Sequence, residues 1–286
     1  MTRAAKVASV RLSKAESRAP SARTTRKVVA ALRRDGLVVF ENLFPAPLLE
    51  KVRALVVRRH ESGALRRRGL VRDIAGRCTS LLPFEGPLLD PRLYAHPALR
   101  DALPALLGAD YRLSSLEAIV ALPGCGRQHQ HIDGPIRFDR AVGGARRGFG
   151  GDLSALPPFA LALATPLCAV DEENGPTALW PGSHRVALRW PLPSEREVSR
   201  RFPEVRMTGP FGRSYLYDYR TFHRGLPNHS REVRPLLMLV YTRSWYRDPN
   251  LADAEPSPLI GRRELARVPA SLRELFAFAP AARPAA

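Results

Sequence analysis

The pattern of apolar and polar positions divides this 286-residue chain into a helical front and a β-rich remainder. No periodic apolar face appears before Val28. Val28, Ala31 and Leu32 then recur at helical spacing. Thr24 and Thr25 stand where a cap is needed and Asp35-Gly36 closes the run, so a short helix is predicted there. Leu37-Val38-Val39-Phe40 is a β-branched apolar run and reads as a strand. Pro45 and Pro47 open a second helix with Leu48, Leu49, Val52, Leu55 and Val56 on its apolar side and Arg53, Arg58 and Arg59 on its wet side. A further helix is predicted over 92–108, stopped by Gly108. From about Leu113 the period changes. Short apolar runs at 116–122, 159–170, 178–180, 214–219 and 236–241 are separated by Gly, Pro and Asn, as in a sandwich or barrel. After Asp248 the chain is rich in Pro and Ala, with one amphipathic stretch at 262–277. The layout predicts a mainly β fold with flanking α-helices. A two-sheet jelly roll is the economical form, because it packs two apolar sheet faces and leaves an open mouth.

Composition narrows this picture. Apolar residues make up 45% and aromatics 7%, ordinary for a globular chain with one large domain. No apolar run approaches the roughly 18 residues needed to span a bilayer, and the N-terminus lacks a secretory pattern. Cys78, Cys125 and Cys168 form an odd, sparse set, which points to reduced thiols and a cytoplasmic setting. The formal charge of +18 is concentrated at the start: residues 1–27 hold eight Lys or Arg against one Glu, a net +7. This segment is expected to be a disordered basic tail, either simply solvated or an anchor for nucleic acid or an acidic partner. The run Arg66-Arg67-Arg68 with Arg72 lacks the interleaved aromatics of single-strand binders.

The candidate chemistry lies in two segments, Gln128-His129-Gln130-His131-Ile132-Asp133 and His223-Arg224-Gly225-Leu226-Pro227-Asn228-His229-Ser230, the second followed by Arg234. In an extended strand, residues two apart share a face, so His131 and Asp133 can reach one metal; His129 lies on that face too and is a rival ligand. His223 would come from another strand. Two imidazoles and one carboxylate with open positions are the ligand set of non-heme Fe(II) oxygenases. An arginine eleven residues beyond His223 suits a hairpin that returns a guanidinium beside the metal, where it would pair with an acidic cosubstrate.

Three stretches together resemble the phytanoyl-CoA dioxygenase family of Fe(II)/2-oxoglutarate oxygenases. They are Gly126–Asp133, Glu173-Asn174-Gly175-Pro176-Thr177-Ala178-Leu179-Trp180-Pro181-Gly182-Ser183-His184-Arg185, and Asp218–Ser230 with Arg234. The opening Asp35–Phe40 is similar as well, so the resemblance covers about residues 28–247. It implies a double-stranded β-helix of cupin-like form over residues 28–250, with 251–286 as a C-terminal extension carrying a short helix. It implies that His131, Asp133 and His223 bind Fe(II) and that Arg234 pairs with the distal carboxylate of 2-oxoglutarate. Gln128 and Thr177 match positions that contact the cosubstrate in some members, and Ser230 would assist Arg234. His184 and Asn174 read as turn and packing residues.

The implied reaction consumes 2-oxoglutarate and O2, releases succinate and CO2, and hydroxylates a small molecule. Related halogenases replace the carboxylate ligand by a small residue, so Asp133 disfavours halogenation. Two other classes fit the same residues: an oxygenase acting on a carrier-protein-bound or macromolecular substrate, and a non-catalytic jelly-roll binding protein. The chain departs from a plain family member at 139–151, a Gly-rich basic stretch containing Phe149, which reads as a lid or as a surface insertion.

Overall fold

A computed structural model describes residues 7–67, 71–74, 76–134, 156–186, 193–248 and 257–282. The Gly-rich stretch 139–151, and Phe149 within it, lies outside them. In chain order the front comprises β1 (Ser9–Val10), α1 (Ala22–Asp35), β2 (Leu37–Phe40), α2 (Ala46–Glu61), α3 (Ala64–Arg67), β3 (Val71–Ile74), β4 (Arg77–Leu81) and the short helices α4 (Pro91–Tyr94), α5 (Pro97–Ala102) and α6 (Pro104–Leu107). Then come β5 (Arg112–Ala121), β6 (Ala160–Pro166), β7 (Thr177–Leu179), α7 (Glu195–Arg201), β8 (Val205–Arg206), β9 (Ser214–Asp218), β10 (His223–Gly225), β11 (Arg234–Thr242) and α8 (Arg262–Arg267).

The strands form two sheets. The larger has eight strands in the order β1-β2-β9-β6-β11-β5-β4-β3, and the smaller runs β10-β7-β8. Every pairing is antiparallel except β1 with β2. This is the expected jelly roll. Alternation along the strands splits the core in two. One face of the large sheet sends Leu116, Ala118, Val120, Leu161, Leu163, Leu216, Leu237 and Leu239 against the helices. The other sends Val39, Ala162, Ala164, Tyr215, Tyr217, Leu236, Met238 and Val240 toward Leu179 of the small sheet and Trp180 just beyond it. The second core carries the site.

Local chemistry accounts for the elements. Ser21, rather than Thr24 or Thr25, caps α1: its hydroxyl accepts from Thr24 N at 3.2 Å. Gly36 ends the helix in the left-handed region at φ 65°, and a Cβ there would lie 2.5 Å from Thr221 Oγ1. The single helix expected over 92–108 is three short ones, because Pro97 and Pro104 each remove a backbone donor and restart the helix. The amphipathic stretch 262–277 is likewise divided, into α8 and a 3₁₀ turn over Ala270–Phe276 beyond Pro269, and Phe276 packs edge-on against Phe84 and Tyr94. The extension is therefore part of the core.

The largest departure is at the N-terminus. Residues 7–27 are not a free tail. Ser9 and Val10 align with Val39 and Phe40, and backbone bonds of 2.9 Å run from Val39 N to Ala8 O and from Glu41 N to Val10 O. Val10 and Leu12 are buried in the helix-side core. The Asn42 side chain brackets Leu12, accepting from its N and donating to its O, both at 2.8 Å. Two apolar residues among many cations are too short a run to read as a strand, but β2 has an edge that pairs with them. No helix among the described residues is long and apolar enough to cross a membrane.

Candidate metal centre

Backbone pairing assembles the site. His223 opens β10 opposite Leu179 of β7. On its other edge His223 forms an antiparallel bridge with His131, through His131 N to His223 O at 3.0 Å and His223 N to His131 O at 2.9 Å. Asp133 N donates to Tyr219 O at 2.9 Å. The segment with His131 and Asp133 is thus an irregular extended edge of the small sheet rather than a regular strand. The turn containing Gly182, Ser183 and His184 supports β10 from behind: Ser183 Oγ accepts from Phe222 N at 2.9 Å, and Gly182 N donates to Asp35 O at 2.7 Å.

One ligand atom from each of His131, Asp133 and His223 lies within 4.8 Å of the other two. His223 Nε2 is 3.6 Å from Asp133 Oδ1, and the two imidazole centroids are 4.3 Å apart. Each ring is oriented by its other nitrogen: His131 Nδ1 lies 2.9 Å from His129 O and His223 Nδ1 lies 3.0 Å from Thr221 O. A carbonyl oxygen only accepts, so both Nδ1 atoms carry the proton and both Nε2 lone pairs face the centre. Burial, followed by the neighbouring His223, holds the His131 pKa down to about 4, which keeps that ring neutral and able to ligate near neutral pH. Tyr217 Oη donates to Asp133 Oδ2 at 2.9 Å and so orients the carboxylate. His129 contributes its carbonyl; its side chain is exposed and is not among the converging groups.

Arg234 begins β11 and is 3% exposed. Its Nε has no hydrogen-bond partner, and no carboxylate stands among the groups that perturb it; those are Tyr215 and the thiols of Cys168 and Cys125. Burial pulls its pKa down, the mark of a desolvated cation awaiting an anion. Thr177 lies at this end, its Oγ1 accepting from Tyr215 Oη at 2.8 Å. Gln128 is pinned across β10: its Oε1 accepts from Gly225 N at 2.8 Å, which leaves the NH2 as its donor end. Ser230, expected to assist Arg234, is engaged elsewhere. Its hydroxyl donates to Asn228 Oδ1 at 2.7 Å and caps the turn that Asn228 ties to Ala121 O and Glu232 O.

Two groups lay beyond the reach of the sequence. Tyr217 is one. The other is Arg77, 1% exposed on β4, in a strand not visible in the apolar pattern. Arg77 and Arg234 both align with Ala121, one from each side, so their side chains leave the same face of the sheet. Arg77 donates Nη1 to Gly126 O at 2.5 Å and Nη2 to Leu226 O, clamping the segment before His131 to the one after His223. Gly225 has no room for a side chain: a Cβ there would lie 2.5 Å from Arg77 Nε and 2.8 Å from Gln128 Oε1. Arg77 has carbonyl partners only, so this end of the centre holds two buried guanidinium charges without a paired carboxylate among the described residues.

His131, Asp133 and His223 could together hold a metal ion, and the Nε of the buried Arg234 has no hydrogen-bond partner. The sequence profile of the phytanoyl-CoA dioxygenase family matches residues 32–236. The chain belongs to that family. Its curated relatives include the dioxygenase cnsJ of Penicillium expansum, 29% identical over 130 residues, which are 46% of this chain and 36% of the relative. The chain thus matches about a third of that protein's length. Among solved structures, EctD from S. alaskensis with 2-oxoglutarate and 5-hydroxyectoine superposes with a TM-score of 0.60 at 23% identity, over 78% of this chain and 76% of that one. The same protein with bound Fe gives 0.58 at 22% identity, over 78% and 76%. These similarities place the jelly roll in known company.

Proposed function

We propose that this chain is an Fe(II)- and 2-oxoglutarate-dependent dioxygenase that hydroxylates a small molecule, with release of succinate and CO2. The observation that carries this reading is Arg234, a fully buried guanidinium with an unpartnered Nε, in a chain that also brings three potential metal ligands together. The donor set fits the metal: two imidazoles and one carboxylate leave positions open for a cosubstrate and O2. When bound, iron supplies the activation of O2 that is coupled to decarboxylation of the keto acid. The chain's own residues do the positioning. His131 and His223 present Nε2, Tyr217 fixes Asp133, Arg234 pairs with the distal carboxylate, and Arg77 adds a second positive charge at the same end. Gln128 and Thr177 offer polar groups beside that carboxylate's path. The EctD structure with 5-hydroxyectoine supports a small substrate, and three cysteines outside any disulfide support a cytoplasmic setting.

The test is equilibrium binding and product analysis. Under anaerobic conditions the chain should bind one Fe(II) and then 2-oxoglutarate, and in air it should form succinate. Failure to bind 2-oxoglutarate with iron present would sink the reading. So would succinate formation unaffected by Arg234→Ala. A binding protein that kept the residues without turnover would bind both and form no succinate.

A further inference from the structure

β9 is flanked by an ion pair at each end. Just before its first residue, Arg213 donates Nε and Nη2 to Glu41 at 3.0 and 3.1 Å, and both side chains are partly exposed. At its last residue Asp218 pairs with Arg220, and here both are buried, at 1% and 3% exposed. Asp218 Oδ1 accepts from Arg220 N at 2.9 Å and from Nε at 2.8 Å, and Oδ2 accepts from Nη2 at 2.7 Å. The remaining nitrogen, Nη1, donates to Leu156 O at 2.6 Å, and the guanidinium lies 5.7 Å from the centre of the Phe159 ring. The dioxygenase chemistry uses neither residue directly.

The pair brackets the turn 219–222, which carries the chain from β9 of the large sheet to β10 of the small one. The backbone of this turn supports two of the three candidate ligands. Tyr219 O accepts from Asp133 N at 2.9 Å, and Thr221 O accepts from His223 Nδ1 at 3.0 Å. A peptide unit is planar and trans, so its N–H and C=O point opposite ways. In the unit joining Tyr219 to Arg220, Asp218 Oδ1 holds the N–H, which aims the C=O at Asp133. In the unit joining Thr221 to Phe222, Ser183 Oγ holds the N–H at 2.9 Å, which aims the C=O at His223. The ends of the turn are tied by Thr221 N to Asp218 O at 2.8 Å, and by Asp218 N and Thr221 Oγ1 to Gly36 O at 2.9 and 3.1 Å. Gly134, which follows Asp133, is flanked by rings from the same network: a Cβ there would lie 3.5 Å from Tyr219 Cδ2 and 3.7 Å from Phe159 Cε2. Apolar side chains of like volume usually serve a fold as well as a buried ion pair does. They could not hold the Arg220 N–H, so what this pair adds is direction.

We propose that Asp218 and Arg220 are positioning residues of the metal centre: their ion pair locks the turn so that the Tyr219 carbonyl orients Asp133 and the Thr221 carbonyl orients His223. This rests on the dioxygenase reading and extends it to the groups behind the ligands.

The test is metal binding by the full chain. Fe(II) affinity is measured by anaerobic equilibrium dialysis, and bound Co(II) is followed by the positions of its visible bands, which track ligand geometry. The double variant Asp218→Asn/Arg220→Gln leaves no uncompensated charge, and Arg220→Lys keeps the charge but offers no fork. Well below its melting temperature the double variant should bind Fe(II) roughly ten- to a hundredfold more weakly, as when groups behind metal ligands are lost, with its Co(II) bands displaced. Arg220→Lys should fall between it and the unaltered chain. Arg213→Gln breaks the pair at the other end of β9; it should leave the Fe(II) affinity and the Co(II) bands unchanged, whatever its melting temperature. The proposal is overturned if the double variant, or Arg220→Lys where the double variant does not fold, matches the unaltered chain in both readouts. It is overturned too if Arg213→Gln displaces the bands as far, or if neither variant of the buried pair folds, which would make the pair a requirement of the fold alone. Absence of metal binding by the unaltered chain would overturn the dioxygenase reading first, and this one with it.

Discussion

Arg234 pays a desolvation cost in the free protein, and the cosubstrate would offset it. Two opposite effects should follow from its removal. Arg234→Met should leave the thermal midpoint of the ligand-free protein unchanged or raise it, because an unpaired buried charge gives way to an apolar side chain of similar reach. The same change should raise the KM for 2-oxoglutarate far more than tenfold, since loss of one partner of a desolvated pair costs about 2–5 kcal/mol. Arg234→Lys should rescue only in part, for a point charge cannot reproduce the fork. An unchanged KM together with a large fall in stability would make Arg234 a structural residue. The ligand set makes a second prediction: His131→Ala, Asp133→Ala and His223→Ala should each abolish tight Fe(II) binding in equilibrium dialysis. His129→Ala should keep it, because only the His129 carbonyl is used. These four positions were legible in the sequence because their chemistry is rare and their spacing matches strand geometry. Arg77 and Tyr217 were not, because a strand arginine and a buried tyrosine carry no local pattern; their roles arise from register across the sheet.

Proline placement and edge pairing separate the predicted elements from the observed ones. Every long apolar run became a strand, while β1, β4, β8 and β10 were too short or too polar to stand out. The N-terminal strap is the clearest consequence. Leu12 is 3% exposed and its backbone is bracketed by Asn42. Leu12→Ala should cost about 2–4 kcal/mol, in line with other buried leucines. A chain beginning at Thr24 should melt well below the full protein rather than match it. Equal melting temperatures would mean that β1 adds nothing to the fold. His96 gives the helical layer a pH dependence. It is 3% exposed, its Nδ1 accepts from Ala98 N at the start of α5, and burial holds its pKa down to about 4. The unfolded chain takes up this proton near pH 6.5 and the folded chain does so only near pH 4. Stability is therefore fully present above about pH 6.5 and declines as pH falls toward 4, by about 3 kcal/mol in all. His96→Asn keeps a capping acceptor and does not titrate, so chemical denaturation of this variant between pH 7 and 4.5 should lose that part of the slope.

At the scale of the whole molecule, part of the charge that dominated the composition is presented on α1. Arg23, Arg26, Lys27, Arg33 and Arg34 all lie on the exposed side of α1, opposite the buried Val28, Ala31 and Leu32. Fold class was legible because sheet and helix periods differ. The use of this charge was not, because a cationic helix face looks the same in sequence whether it is solvated or bound. Steering by the net charge should act on 2-oxoglutarate, a dianion, and weaken with salt. Reversing Arg23, Arg26 and Lys27 to Glu should make the protein leave a heparin column at distinctly lower salt. It should leave the thermal midpoint within a few degrees, because none of the three is buried, and leave succinate formation with a small substrate nearly unchanged. If the variant instead keeps its iron but loses turnover in a manner restored by no small molecule, α1 is the dock for a macromolecular substrate. Full turnover with early elution would assign the face to solubility or to anionic surfaces and leave catalysis to the jelly roll alone.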